Sequence, residues 1–427
     1  MKTIYLVFFI LFSIPVFAYI DPGTGSMLFS LLTGLAVTMF FLAKNLLLRI
    51  KSGFSLKKAL TVVDGARRQR LVIFSEGKQY WNVFKPIVEE LSARGIACMY
   101  YSAGEDDPGL AFESSSVHTR FIGVGNAAYR FLNFLEAEVC LTTTPGLDVF
   151  QLKRSPGVQH YCHILHTLTD AATYRLFGID YYDSVLLTGD YQKKDIRALE
   201  KLRGLKEKTL EVVGCTYLDV FQTRLKGMIE GRRDTSGNVL VAPSWGENAI
   251  LRRYGLRLLE PLAKSRFHIV IRPHPQTMIV EKDAVDKLMG ALKPYRNVEW
   301  NFDTENLDAL SRADLMISDF SGVIFDFAFL FNRPVVYACF DFDKRPYDLS
   351  DIEDETWTFR AIRILGSPLD ESSFADIEHT LDKVLGKDRR EIQLLKDEAW
   401  AFRGQAGKKT VDFLESLLEK TAKGRSF

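Results

Sequence analysis

The sequence predicts an α/β protein in which two Rossmann-like, doubly wound domains face a cleft, preceded by an N-terminal membrane segment. Three observations carry this. From Arg70 onward, short apolar runs alternate with longer amphipathic ones, the pattern of parallel βαβ units. The alternation lapses over a polar, glycine-containing stretch and then restarts. Within the first 44 residues only Lys2, Asp21 and Lys44 carry charge. A chain of 427 residues also exceeds what one ordinary core holds.

The N-terminal elements come first. "IYLVFFILFSIPVFAY" has the character of a signal-peptide core, with Ala18 as a candidate cleavage point. "SMLFSLLTGLAVTMFFLAKNLLL" is long enough to span about 30 Å of hydrocarbon. Residues 1–50 therefore read as a signal-like apolar run followed by a transmembrane helix. Lys44, Arg49, Lys51, Lys57 and Lys58 cluster around and beyond its end, and such a positive flank belongs on the cytoplasmic side. The expected location is the inner (cytoplasmic) membrane, with the remaining domains facing the cytoplasm.

In the first α/β domain, residues 65–225, "RLVIFSEG" reads as a buried strand ending in a glycine loop. "YWNVFKPIVEELSARG" reads as a helix closed by Gly95, and "IACMYYS", "AEVCLTTT" and "YDSVLLTG" as further strands. The stretch from Gly214 to Asn238, including "LKGMIEGRRDTSGN", is expected to be the junction. In the second domain, residues 235–395, "VLVAPSW", "FHIVIRPHP", "NVEWNFD", "DLMISDFSG" and "PVVYACFD" alternate with helical stretches such as "VDKLMGAL" and "VIFDFAFLFN". The charged tail from Arg389 to Lys420 is helical, and residues 396–427 form a closing C-terminal helix.

A net charge of +1 and the absence of a long basic tract argue against nucleic acid as a partner. The five cysteines include no CxxC pair, which argues against a disulfide framework or a zinc site. The sequence points to no particular cofactor, and nothing in it decides divalent-metal dependence.

Three constellations stand out. In "IRPHPQT", Pro273 and Pro275 restrict the backbone on both sides of His274 at the end of a strand, with Arg272 beside it as a phosphate-type cation. The bland alternative is a turn histidine that merely hydrogen-bonds. In "LMISDFSGVIFDFAFL", a strand ends at Ser318, Asp319 and Ser321 offer caps, and Gly322 allows close approach, so the amides of the following helix make an anion site. Capping alone also explains Asp319 and Ser321. In "QHYCHILHTLTD", His160, His163 and His166 stand three apart. On a helix they share one side, which suggests metal; on a strand His163 opposes the other two. No nearby carboxylate or cysteine completes a metal pattern. His166, at the end of the apolar run, is the cleft candidate.

"IRPHP" followed by "ISDFSGVIFDFAFLFNRPVVY", together with "VGCTYLD", "VLVAPSWGE" and "HTLTDAATYRLFGIDYYDSVLLTG", resembles the CDP-glycerol glycerophosphotransferase family of teichoic-acid-type polymer synthesis, over roughly Val72 to Asp341. The resemblance implies a GT-B arrangement with an acceptor-side N-terminal domain and a CDP-donor-binding C-terminal domain. His274 matches a family histidine, and Asp319, Ser321 and Asp326 match donor-motif positions. Gly322 stands where the family usually carries Ser or Thr, and "LHTLTD" departs from the acceptor motif of the better-known members.

The implied reaction is attack of an acceptor hydroxyl on the phosphorus bearing glycerol, with CMP leaving. His166 is then the general base. His274, Arg272, Ser244 and the amides at Ser321 and Gly322 hold the pyrophosphate. The implied partners are CDP-glycerol or a related CDP-alcohol, a lipid-linked or glycan acceptor, and the membrane. A glycosyltransferase using a sugar nucleotide and a non-catalytic membrane-tethered binding protein are the rival readings.

Overall fold

The computed structural model describes residues 68–228, 237–303, 305–386 and 390–423. The two apolar segments expected within residues 1–50 lie outside them. Among the described residues no helix is long and apolar enough to cross a membrane.

Two all-parallel sheets organise the fold. The first contains β1 (Gln69–Ser75), β2 (Cys98–Ser102), β3 (Val117–Phe121), β4 (Ala137–Thr142), β5 (Val158–Ile164), β6 (Ser184–Leu187) and β7 (Thr209–Val212), in the order β3-β2-β1-β4-β5-β6-β7. The second contains β8 (Asn238–Val241), β9 (His268–Ile271), β10 (Val298–Trp300), β11 (Leu315–Ser318), β12 (Val335–Ala338) and β13 (Gly366–Leu369), in the order β10-β9-β8-β11-β12-β13. Leu71, Val72, Ile73 and Phe74 in β1, like Leu315, Met316 and Ile317 in β11, are all buried. Such unbroken apolar runs mark strands covered on both faces, which is how parallel sheets are built. Ile73 pairs with Tyr100 on one side and Leu141 on the other, and Val241 lies between Ile271 and Ile317. In each sheet the strand order reverses once, at β1/β4 and at β8/β11. Ligands of open α/β sheets bind beyond the carboxyl ends of the strands at such a reversal.

The stretch expected to be a polar junction is helical over its first half. Helix Thr216–Met228 follows β7, and Leu218 and Phe221 share a core with Leu240, Ile324 and Phe325 of the second half. The tail is two helices, Arg390–Ala399 and Ala406–Ala422. Phe402 and Gly404 adopt positive φ between them. Asp219 holds this break, accepting from Trp400 Nε1 (2.9 Å) and from the amides of Gly404 (2.8 Å) and Ala406 (2.9 Å). The chain thereby returns to the first half, where Val411, Leu414 and Leu417 pack with Leu71, Ile73 and helix Trp81–Ala93.

The halves are tied on one flank of the cleft. Arg175 and Tyr347 form an antiparallel bridge, the Asp348 amide donates to Tyr174 O (3.0 Å), and the Leu176 amide donates to Pro346 O (3.2 Å). Asp170 accepts from the Thr358 amide and hydroxyl, both at 2.6 Å.

Candidate active site

A cleft of about 530 Å³ opens between the carboxyl ends of the two sheets. His166, Thr167 and Tyr174 line it from the first half, and Ser244, Arg272, His274, Ser321, Gly322 and Asp326 from the second. Of the residues expected to act on the substrate, the structure thus gathers all but Asp319 onto one cavity, while His160 and His163 do not line it.

His166 stands two residues past β5. Its Nδ1 lies 2.7 Å from Thr143 Oγ1 and 3.3 Å from the Tyr174 hydroxyl. Thr143 donates its own hydrogen to Ile164 O (2.8 Å), so its oxygen accepts from His166. The hydrogen therefore sits on Nδ1 and leaves Nε2 as an acceptor. Burial lowers the pKa of His166 to about 4, which keeps the ring neutral at pH 7.

His274 has the opposite tautomer. It is the N-cap of helix Pro275–Val280, and its Nδ1 accepts from the Gln276 amide (3.1 Å). The neutral ring then carries hydrogen on Nε2 and is a donor. The turn reading holds for it, and the cap orients the ring at the cleft wall. Burial, with Arg272 nearby, lowers its pKa to about 4. Arg272 donates to Asn301 Oδ1 (2.5 Å) and lines the cleft half-buried.

The helix Val323–Phe331 starts at the cleft, but no side chain caps it, contrary to the expectation for Asp319 and Ser321. Asp319 is buried below the cleft. It accepts from the amides of Ser244 (2.9 Å) and Ile250 (3.0 Å), and burial raises its pKa to about 6. A carboxylate so engaged shapes the loop carrying Ser244 instead of meeting a phosphate. With its amides uncapped by side chains, the start of this helix favours an anion in the cleft. Gly322 has φ −57°, which any residue adopts, so its reason is space: a Cβ there would stand 2.6 Å from Thr167 Oγ1 of the other half. Asp326 accepts from the Tyr217 hydroxyl, and burial raises its pKa to about 7.

The histidine triplet follows the strand alternative. His160 and His163 lie in β5, where His160 Nε2 meets Ser184 Oγ (2.9 Å) and His163 Nε2 meets the Tyr174 hydroxyl (3.2 Å). Among the described residues no group of three or more His, Cys, Asp or Glu side chains is arranged to hold a metal ion. Sequence reasoning missed Thr143, Thr167, Tyr174 and Tyr217. Tyr174 lies in a quoted motif, but a tyrosine carries no spacing signal of its own.

Residues 192–356 match the CDP-Glycerol:Poly(glycerophosphate) glycerophosphotransferase family. The matched segment contains Ser244, Arg272, His274, Ser321 and Asp326, whereas His166 precedes it. Among solved structures, the chain is similar to a variant of the wall teichoic acid polymerase TagF soaked with CDPG, at 16% identity and a TM-score of 0.56, covering 89% of this chain and 96% of that one. It is also similar to UDP-GlcNAc 2-epimerase from Methanocaldococcus jannaschii in complex with UDP-GlcNAc and UDP, at 14% identity and a TM-score of 0.56, covering 82% and 100%. UDP-GlcNAc 2-epimerase from Neisseria meningitidis gives 15% identity and a TM-score of 0.51 over 82% and 100%. At these identities the likeness establishes the fold, a GT-B-like pair of domains. No curated protein matches the chain.

Proposed function

We propose that the protein transfers glycerol phosphate, or a related polyol phosphate, from a CDP-alcohol to an acceptor hydroxyl in cell-envelope polymer or glycolipid synthesis. The observation that carries this reading is the pairing of opposite histidine tautomers across the cleft, an acceptor nitrogen on His166 and a donor nitrogen on His274, beside the glycerophosphotransferase motifs. His166 Nε2 takes the proton of the acceptor hydroxyl as its oxygen attacks the phosphorus bearing the polyol. The bond from that phosphorus to the bridging oxygen breaks, and CMP leaves with the electron pair. His274 Nε2–H, Arg272 and the amides at Ser321 and Gly322 stabilise charge on the phosphates, the dominant demand in phosphoryl transfer. The apolar residues 1–50 and the lysines and arginine near Lys44 to Lys58 support a membrane anchor with the catalytic halves on the cytoplasmic side.

Likeness to UDP-GlcNAc 2-epimerases favours one second reading, a sugar-nucleotide substrate in the same cleft. Incubation with CDP-glycerol or with UDP-sugars, followed by detection of CMP or UDP, separates the two. Release of CMP on transfer to an acceptor is expected; release of UDP alone would overturn the proposal. Protease protection of residues 50 to 427 in intact cells, with digestion in inverted vesicles, tests the orientation.

A further inference from the structure

We infer that Tyr174 is a positioning residue for His166, fixing the tautomer and ring orientation that a base in this cleft requires. The inference rests on the transferase reading only in giving His166 a base's role. Two hydrogen-bonding groups meet at the Tyr174 hydroxyl, His166 Nδ1 at 3.3 Å and His163 Nε2 at 3.2 Å, and Tyr174 also lines the cleft.

The hydrogens in this cluster can be counted. Thr143 is committed as donor to Ile164 O, so His166 Nδ1 bears a hydrogen that Thr143 and Tyr174 share as acceptors. His163 is fully buried, and among the described residues its Nδ1 has no partner. An orphaned buried N–H is rarer than an under-satisfied acceptor, which puts the hydrogen of His163 on Nε2, donating to Tyr174. The phenol oxygen then accepts from both imidazoles, filling its two lone pairs. Its own hydrogen is left for solvent or substrate in the cleft.

The rings also pack together: that of Tyr174 lies 5.9 Å from that of His166 and 5.5 Å from that of His163, and that of Tyr80 lies 5.1 Å from that of His166. Burial raises the pKa of Tyr174, so the phenol stays neutral. Its carbonyl accepts from the Asp348 amide of the second half. The base is therefore oriented by a residue anchored to the donor side, which ties the competence of His166 to the apposition of the two halves.

The test is histidine ¹⁵N NMR on the full chain at neutral pH, joined to kinetics of Tyr174→Phe, which keeps the ring and removes the hydroxyl. The wild type should show His166 protonated on Nδ1 and His163 on Nε2. In Tyr174→Phe the His166 Nδ1–H should exchange with water at least about tenfold faster. The kcat for CMP release should fall about 10- to 100-fold, the scale of a misplaced acid–base group, while CDP affinity by calorimetry stays within about twofold. A wild-type His166 protonated on Nε2 overturns the inference without any variant. So does unchanged Nδ1–H exchange or an unchanged kcat in Tyr174→Phe. A wild type with the expected tautomers and exchange behaviour that releases no CMP from CDP-glycerol would refute the transferase reading and leave the role of Tyr174 supported.

Discussion

Thr167 Oγ1, on the first half, occupies the space that a β-carbon on Gly322 of the second half would need, at a separation of 2.6 Å. The contact fixes how near the uncapped start of helix Val323–Phe331 comes to the loop that carries His166. Gly322→Ala should therefore force the halves apart, costing about 1–3 kcal/mol as overpacking does. Thr167→Ala removes the offending oxygen and leaves Thr169 Cγ2 at 3.6 Å and Thr167 Cβ at 3.8 Å, ordinary contacts. The double variant should recover the stability and activity lost in Gly322→Ala. Urea denaturation of all four proteins in a cycle reads the coupling, and strictly additive effects would show that the two residues do not meet.

The two sides of the cleft should separate under mutation. His166→Ala should lower transfer at least about a hundredfold while leaving CDP binding intact, because the proposed mechanism gives His166 to the acceptor. Ser321→Ala keeps the amide but removes a hydroxyl from the cleft wall, and should instead weaken CDP binding by about 0.5–1.5 kcal/mol, the worth of one hydrogen bond, since no helix cap is lost with it. Calorimetric titration with CDP decides. Lost affinity in His166→Ala with unchanged affinity in Ser321→Ala would reverse the roles of the halves.

Asp326 makes stability depend on pH in an identifiable direction. Its folded pKa is about 7 through burial, offset in part by the Tyr217 hydroxyl, against an unfolded value of about 3.9. Between these values the folded state binds more protons, so this contribution is complete below about pH 4 and lost as pH rises through about 7. His166 and His274 have the opposite sign: their folded pKa values are depressed, and their contribution is lost as pH falls from about 6.5 toward 4. Asp326→Asn keeps an acceptor for Tyr217 and removes the titration. Urea midpoints should fall more, or rise less, between about pH 5.5 and 7, the upper half of the Asp326 window, in the wild type than in the variant, the histidine contributions being common to both. Parallel midpoint curves would refute the assignment.

The sheets were legible in the sequence because buried parallel strands leave continuous apolar runs, as in "RLVIF" and "LMIS". His274 was legible because two prolines fence it. What lay outside reach was set by contacts between distant residues. Asp319 looks like a cap until the Ser244 and Ile250 amides are seen to claim it. Gly322 looks only like a phosphate-approach glycine, and nothing in the sequence signals that Thr167 of the other half also needs its space. Helix Thr216–Met228 was hidden because its core partners, among them Leu240, Ile324 and Phe325, come from the second half, and because its buried Asp219 is engaged by Trp400 and the amides of the distant tail.

Arg203 offers a graded test of the clasp on which Tyr174 depends. Its guanidinium donates to Asp180 (2.8 Å), Asp348 (2.6 Å) and Asp351 (2.7 Å), joining the first half to the second. Asp348 is fully buried and also accepts from the amides of Phe177 (2.7 Å) and Gly178 (3.2 Å), so it positions the turn that follows Tyr174. Burial raises the pKa of Asp348 and of Asp180, with Arg203 pulling both back. Arg203→Ala leaves those carboxylates buried without their cation and should cost about 3–5 kcal/mol, the scale of a broken buried pair. Arg203→Lys should recover only part of this, because an ammonium lacks the planar fork that reaches three carboxylates at once. Asp351 is a third exposed, and Asp351→Ala should cost only about 0–1 kcal/mol. Chemical denaturation measures the three, with kcat followed in the folded population. In Arg203→Lys, kcat should fall more than CDP affinity, since the turn after Tyr174 loosens while the donor pocket does not. Equal costs for Arg203→Ala and Asp351→Ala would show that the cluster is an ordinary surface network and that the halves are held by other contacts.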